Sequence, residues 1–341
     1  MIAMTLARLD VLTVPPPDWD AQVETLGGSV FHTSAWARYR SHDRSATPLY
    51  FRWYVQDDQT AAVALGLRQP GARTLRGRVA ARIRFDSPPA AREEVIELLP
   101  SLRASAHGLR STVEVVLGSF DERRPWTEQD APLPVRRIEF LVEPGPRVCL
   151  LNRMRKGTRG SIKRAEKLGV EVRRTDAPDD LLAFAKLYKE TLDRLERKKG
   201  VRAAAVDPFQ LAASLQLLTS SGTGRLYLAF AEGAEITGCF FTTFNRSAYY
   251  LLNGANGRAL QIGGTPLTLL KALEDFAHEG FTRINLGGVA AEAASPASPD
   301  HGLYAFKLGL GTSPVSCTSG RLLVRPLRAS AVKLALKVRR R

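Results

Sequence analysis

The stretch Arg159-Gly160-Ser161-Ile162-Lys163-Arg164-Ala165-Glu166-Lys167-Leu168-Gly169-Val170-Glu171-Val172 passes from helix to strand through one glycine. Arg147–Leu168 reads as a helix with basic residues spread around its surface, Gly169 as its C-cap, and Val170–Arg173 as the strand that follows. Toward the C-terminus, helices are predicted at Asp179–Glu196 and Pro208–Leu218. Arg225–Ala231, Ile236–Phe244 and Ala248–Leu252 read as three antiparallel strands joined by short turns. Thr265 is expected to cap a helix with Pro266 at its first position, running to about Glu279. A strand at Phe281–Leu286 then leads into Gly287-Gly288. Strand, helices, three-strand meander, helix, strand, helix is the order of a mixed α/β domain.

Toward the N-terminus the same order appears in a looser form, which points to a duplicated fold. Thr5–Val14 reads as a strand and Trp19–Leu26 as a short helix after Pro15-Pro16-Pro17. Pro48–Val55 and Ala61–Arg68 form a predicted hairpin around Asp57-Asp58. Val79–Phe85, a helix near Arg92–His107, and strands at Thr112–Leu117 and Val135–Val142 complete this half. Pro144-Gly145-Pro146 interrupts both strand and helix and marks the boundary.

Composition bounds the function. The 341 residues suit two domains, and 44% apolar with 24% charged residues is ordinary for a globular protein. No apolar run is long enough to span a bilayer, and the first ten residues lack a signal-peptide pattern. Cys149, Cys239 and Cys317 are too far apart for a CxxC motif, and their odd number fits a reducing cytoplasm. The five histidines form no HxxxH or HExxH, so no metal is expected. The net charge of +15 is concentrated: residues 151–174 hold nine Lys/Arg against Glu166 and Glu171, and residues 321–341 hold eight against no acid. A neutral body with two basic patches points to a polyanionic partner, although a solvated helix face and a basic tail give the same pattern.

Four segments together resemble the Fem family of aminoacyltransferases. They are residues 159–172 above; Tyr249-Tyr250-Leu251-Leu252-Asn253-Gly254-Ala255-Asn256; Pro266 with Gly280-Phe281 and Asn285-Leu286-Gly287-Gly288; and Gly302-Leu303-Tyr304-Ala305-Phe306-Lys307-Leu308-Gly309. Phe31-His32-Thr33-Ser34-Ala35-Trp36 resembles the family's weaker S-x-x-W element. The resemblance implies an α/β chain of two GNAT-like domains side by side, with mixed sheets flanked by helices and no coiled-coil arm. The first would be residues 1–148 completed by 316–341, the second residues 149–315. It implies transfer of an amino acid from aminoacyl-tRNA, a co-substrate rather than a bound cofactor, to an amine of a peptide-containing acceptor. That acceptor would be a cell-wall precursor, nucleotide-linked or not, or a peptide-like natural product; the protein would be a cytoplasmic monomer.

An aminoacyl ester is already activated, so the enzyme needs to position the amine and stabilise the oxyanion that forms. Lys307, beside Phe306, matches the pair to which the resemblance gives that role. Arg155, Lys156, Arg159, Lys163, Arg164 and Lys167 are candidates for tRNA phosphates. Arg38, Arg40 and Arg194 are candidates for phosphates of the acceptor, since guanidinium matches phosphate oxygens in a bidentate way. Asn253, Asn256, Asn285 and Tyr304 complete the expected substrate site. The family usually has an aromatic residue at the place of Asn253, an aspartate at that of Asn285 and often phenylalanine at that of Leu310. These departures bear on the acceptor.

Three other readings remain. An acyl-CoA N-acyltransferase of the same fold would bind the CoA pyrophosphate on a (Q/R)-x-x-G-x-(G/A) loop at a helix start. The nearest match, Gln261-Ile262-Gly263-Gly264-Thr265-Pro266, has a proline where a free N–H is needed. A non-catalytic nucleic-acid-binding protein would fit the basic patches, but no RNP, KH or zinc-finger pattern is present. Ala331–Arg341 alternates apolar and basic residues and would allow peripheral membrane contact, through a small apolar face.

Overall fold

A computed structural model describes residues 6–55, 59–73, 79–92, 101, 112–118, 120, 133–199 and 206–324. The turn at Asp57-Asp58, the helix expected near Arg92–His107 and the basic tail beyond residue 324 lie outside the described residues. The chain divides into two compact units, Met1–Arg137 with Ser316–Arg341, and Ile138–Val315.

In the first unit, β1 (Arg8–Leu12), β2 (Thr47–Tyr54), β3 (Thr60–Arg73), β4 (Val79–Phe85), a short β5 (Ala90–Ala91) and β6 (Thr112–Leu117) form a mixed sheet. Antiparallel pairing runs from β1 to β4, β4 and β6 are parallel, and β13 (Ser313–Leu323) returns to pair antiparallel with β6. The helices α1 (Trp19–Thr25) and α2 (Ser34–Arg44) carry Trp19 and Trp36 inward. Thr33 caps α2 by accepting from Trp36 N at 3.1 Å, and the Trp36 indole donates to the fully buried Asp86 at 3.0 Å. The Thr33-Ser34-Ala35-Trp36 stretch is thus a helix start pinned to the core.

In the second unit the sheet order is β7 (Leu133–Val142), β12 (Arg283–Ala290), β11 (Ser247–Ala255), β10 (Ala234–Phe244), β9 (Gly224–Ala231), β8 (Glu171–Thr175). All six strands lie within a few residues of where the sequence predicts them. The single helix expected at 147–168 is two helices, α3 (Arg147–Arg153) and α4 (Lys156–Lys167). Arg155 takes an extended backbone and its N–H donates to Gly309 O at 3.0 Å, while Arg159 Nη1 caps Met154 O at 2.7 Å. Burying Met154 and satisfying these groups outweighs continuing the helix, because unpaired backbone groups are costly.

The helices α5 (Pro178–Lys199) and α6 (Pro208–Ser220) follow β8; α7 (Gly257–Ile262) and α8 (Gly264–His278) lie between β11 and β12; α9 (His301–Gly309) follows β12. Two cross-strand glycines let α5 approach the sheet closely. Gly238 and Gly254 are partners in the β10–β11 pairing, and a Cβ at either would fall 2.5 Å from Phe184 or 2.6 Å from Tyr188 N. The neighbouring Thr237 meets α8 instead, through Thr265 at 3.0 Å, so α5 and α8 cover opposite faces. Leu269, Leu270, Leu273 and Phe276 of α8 are fully buried with Tyr227, Phe241, Ile284 and Leu286 of the sheet. Removing a Leu side chain of this kind from water contributes roughly 1.5–3 kcal/mol.

Candidate active site

β11 and β12 run parallel for three residue pairs, ending at Tyr249 and Asn285. In β10–β11 the register shifts between Phe240 and Phe241, beside Leu251. A bulge increases local twist and bends the strand, which helps β11 leave β12 here. Beyond this point Gly287 takes φ +72°, the left-handed region that favours glycine. A Cβ there would lie 3.2 Å from Tyr250 O, 3.3 Å from Lys307 Nζ and 3.6 Å from Tyr249 Oη. The missing side chain is what lets a cation, a phenol and a carbonyl gather where the strands part.

Lys307 comes to this corner from α9. It is 7% exposed, its ammonium donates to Leu286 O at 2.6 Å, and it lies 5.6 Å from the centre of the Phe140 ring. A solvated lysine on a short helix would show none of this. An ammonium with three donors, nearly buried where the strands part, presents a positive charge that little water screens, and the buried Glu139 carboxylate lies beside the neighbouring Gly288. Phe306 is half-buried and packs on the core, and Tyr304 meets Phe140 edge to face at 5.6 Å. Gly309 allows Arg155 and Thr158 to close on the end of α9: a Cβ there would be 2.9 Å from Thr158 Oγ1.

The other expected site residues divide. Asn285 is buried and its Oδ1 accepts from Gly287 N at 2.7 Å, so it shapes the Gly287 corner. Asn253 lies half-buried on β11, its amide donating to Gly238 O at 3.0 Å and its nitrogen 3.8 Å from Cys239 Sγ. Burial pushes the Cys239 thiol up to about 12, which leaves it protonated and unsuited as a nucleophile. Asn256 is a helix cap: it accepts from Ala259 N at 3.0 Å and donates to Glu235 O at 3.2 Å. Arg194 donates to Ala255 O at 2.8 Å beside Thr191, holding the end of β11. In the first unit, Arg38 is exposed, whereas Arg40 pairs with Asp43 at 3.2 Å and with buried Asp86 at 3.3 Å. Tyr249 carries no sequence signal of a role beyond its place in the Tyr249–Asn256 stretch; only the Gly287 corner reveals it.

The six cations expected to meet tRNA are all exposed, while Ile162 and Ala165 face inward. Two of them also brace the fold: Arg159 holds Met154 O, and Arg164 donates to Gln261 O at 3.0 Å. That second contact places α4 against the start of α8. Gly263, at φ +84°, is both the C-cap of α7 and the N-cap of α8, so the cap lies two residues before the expected Thr265 and the helix starts at Gly264 rather than Pro266. Its N–H donates to Ala259 O at 3.0 Å, and a Cβ on it would fall 2.6 Å from Ser161 O. Thr265 turns its hydroxyl to Thr237. A pyrophosphate loop at this helix start would therefore lack the Gly263 and Pro266 donors and face the Ser161 carbonyl oxygen, which repels an anion.

Residues 152–307 match the family model for the acetyltransferase (GNAT) domain. No protein of curated function matches the sequence. Among solved structures, FemX superposes with a TM-score of 0.70 at 15% identity, over 95% of this chain and 100% of that one. L-PGS from Bacillus licheniformis gives 0.54 at 14%, covering 95% and 96%. A tandem GNAT protein from the clavulanic acid biosynthesis pathway gives 0.54 at 11%, covering 93% and 99%. The chain has the mixed α/β GNAT fold that FemX also carries, as the four sequence segments implied.

Proposed function

We propose that this chain is an acyltransferase that takes an aminoacyl group from the ester of an aminoacyl-tRNA and joins it to an amine of a peptide-containing acceptor. The observation that carries the choice of donor is the start of α8. The turn that would hold a CoA pyrophosphate has lost two backbone donors and is covered by α4 through Ser161 and Arg164. The same helix turns Arg155, Lys156, Lys163 and Lys167 outward. An anion is thereby directed to a basic helix surface, suited to a nucleic acid backbone, rather than to a helix N-terminus.

In the reaction the acceptor nitrogen attacks the ester carbonyl carbon, forming the C–N bond and moving an electron pair onto the carbonyl oxygen. Lys307 stabilises that oxyanion. Collapse breaks the bond to the ribose oxygen, which leaves with the proton given up by the amine. Among the described residues no helix is long and apolar enough to cross a membrane, and no His/Cys/Asp/Glu group could hold a metal ion. The amine is the part to be identified by assay, with nucleotide-linked cell-wall peptides and peptide-like natural products as the first candidates.

Amide formation from a pool of charged tRNAs is expected to vanish on RNase treatment and to be indifferent to acetyl-CoA. Robust acetyl-CoA turnover without tRNA would overturn the donor assignment. Charge reversal at Lys156, Lys163 and Lys167, which leaves the Arg159 and Arg164 braces in place, should weaken tRNA binding and flatten its salt dependence. Fewer phosphate contacts release fewer counterions, each contributing a slope of about −0.7 to −0.9. An unchanged slope in the folded variant would assign that helix face to solvation.

A further inference from the structure

We infer that Tyr249 is a second catalytic residue, its hydroxyl donating to the same oxyanion as Lys307. The inference rests on the aminoacyl-transfer reading above and adds to it a group to which the motif that contains it assigns no role.

Three observations converge on it. Tyr249 is the last residue of β11 paired with β12, so the strand register fixes its backbone where the two strands separate. Its hydroxyl and the Lys307 ammonium lie 3.6 and 3.3 Å from one point, the place where a Gly287 side chain would stand. Both side chains are nearly buried, at 9% and 7% exposure, so water does not screen what they present. Two donors of different chemistry held at one nearly buried corner form the kind of arrangement that stabilises developing negative charge, since they need little reorganisation as it forms.

The third polar atom at that corner, Tyr250 O, is an acceptor, 3.2 Å from the same point. The tetrahedral species of aminolysis carries an oxyanion and a nitrogen bearing protons on one carbon. Two donors and a carbonyl oxygen about one corner match that pair of groups better than they match the planar ester, which has no proton to give. Nitrogen attack forms the C–N bond as the carbonyl π pair moves to oxygen; Tyr249 and Lys307 hold that oxygen, and Tyr250 O holds an N–H. When the pair returns, the C–O bond to the ribose breaks and the proton from nitrogen ends on the ribose oxygen. Tyr249 and Lys307 finish in the protonation states in which they began.

The test is Tyr249→Phe, which keeps the ring and its packing and removes one oxygen. Three quantities are read: the single-turnover transfer rate, the Kd of charged tRNA, and the Kd of a phosphonate analogue of the aminoacyl ester, whose tetrahedral anion mimics the oxyanion. The rate is expected to fall about a hundredfold, as for loss of one oxyanion donor, with the analogue weakened by a similar factor and the charged tRNA bound as before. A rate within threefold of the unaltered protein overturns the inference. So does an equal loss of rate, analogue binding and tRNA binding, which would make the hydroxyl a fold contact. Lys307→Met in the same assay separates the two levels. If it is impaired while Tyr249→Phe is not, the inference fails and the transfer reading stands; if neither is impaired, the reading itself fails.

Discussion

Lys307→Met is expected to turn over about a hundred- to a thousandfold more slowly, a loss of roughly 3–4 kcal/mol of transition-state stabilisation. Methionine keeps much of the stem volume and removes the charge. It also leaves Leu286 O without the ammonium that donates to it at 2.6 Å, so some stability should be lost as well, about 1–3 kcal/mol for a buried acceptor. Substrate binding is expected to survive, because the charge acts on an oxyanion that the ground state lacks. Lys307→Arg should recover only part of the rate: the planar guanidinium places its charge differently and must fit beside the Phe140 ring. Single-turnover transfer with saturating donor and acceptor separates chemistry from binding. A methionine variant within a few-fold of the unaltered protein would make Lys307 a structural brace for β12 and remove the chemical core of the proposal.

How legible these features were depends on the range of the interactions behind them. Strands β9 to β12 announced themselves because their apolar runs are bounded by turn residues, a local signal. The GNAT fold followed from four short segments in order. The break between α3 and α4 did not show, since it is caused by Gly309 O and a buried Met154, more than a hundred residues apart in sequence in the first case. Likewise, nothing in Gly238 or Gly254 taken singly says that they face one another under α5; the cross-strand register does. Lys307 was found by its motif, but its burial and its nearness to Tyr249 depend on where β11 and β12 part. Asn256 and Arg194 show the opposite failure: residue types suited to binding are occupied in capping a helix and fixing a strand end. Composition cannot tell a polar side chain that meets substrate from one that satisfies backbone.

Arg40 is the sharpest instance, and Asp86 is the residue through which to test it. Asp86→Ala is expected to cost about 3–5 kcal/mol of stability, since removing one partner of a buried ion pair leaves uncompensated charge. The carboxylate is fully buried; it accepts from Trp36 Nε1 at 3.0 Å and Arg84 Nε at 2.5 Å and pairs with Arg40 at 3.3 Å. Because Arg84 is 29% exposed, water can take up part of its charge, which favours the lower end of the range. Burial alone would push the Asp86 carboxyl up, but the Arg40 and Arg84 guanidiniums, with the Arg84 and Trp36 hydrogen bonds, outweigh it and hold it below the ordinary range. A group depressed in the folded state contributes fully above its unfolded value of about 3.9 and loses that contribution as pH falls through it toward the folded value. Asp86→Asn keeps the shape and an acceptor for the indole but cannot titrate, so its stability should change less between pH 5 and pH 3 than that of the unaltered protein. Urea unfolding at pH 7 measures the alanine cost, and the same transition followed across the acid range measures the difference in slope. An alanine variant within 1 kcal/mol of the unaltered protein, or parallel acid profiles, would mean that Arg40 is not committed to Asp86 and is available to a phosphate after all.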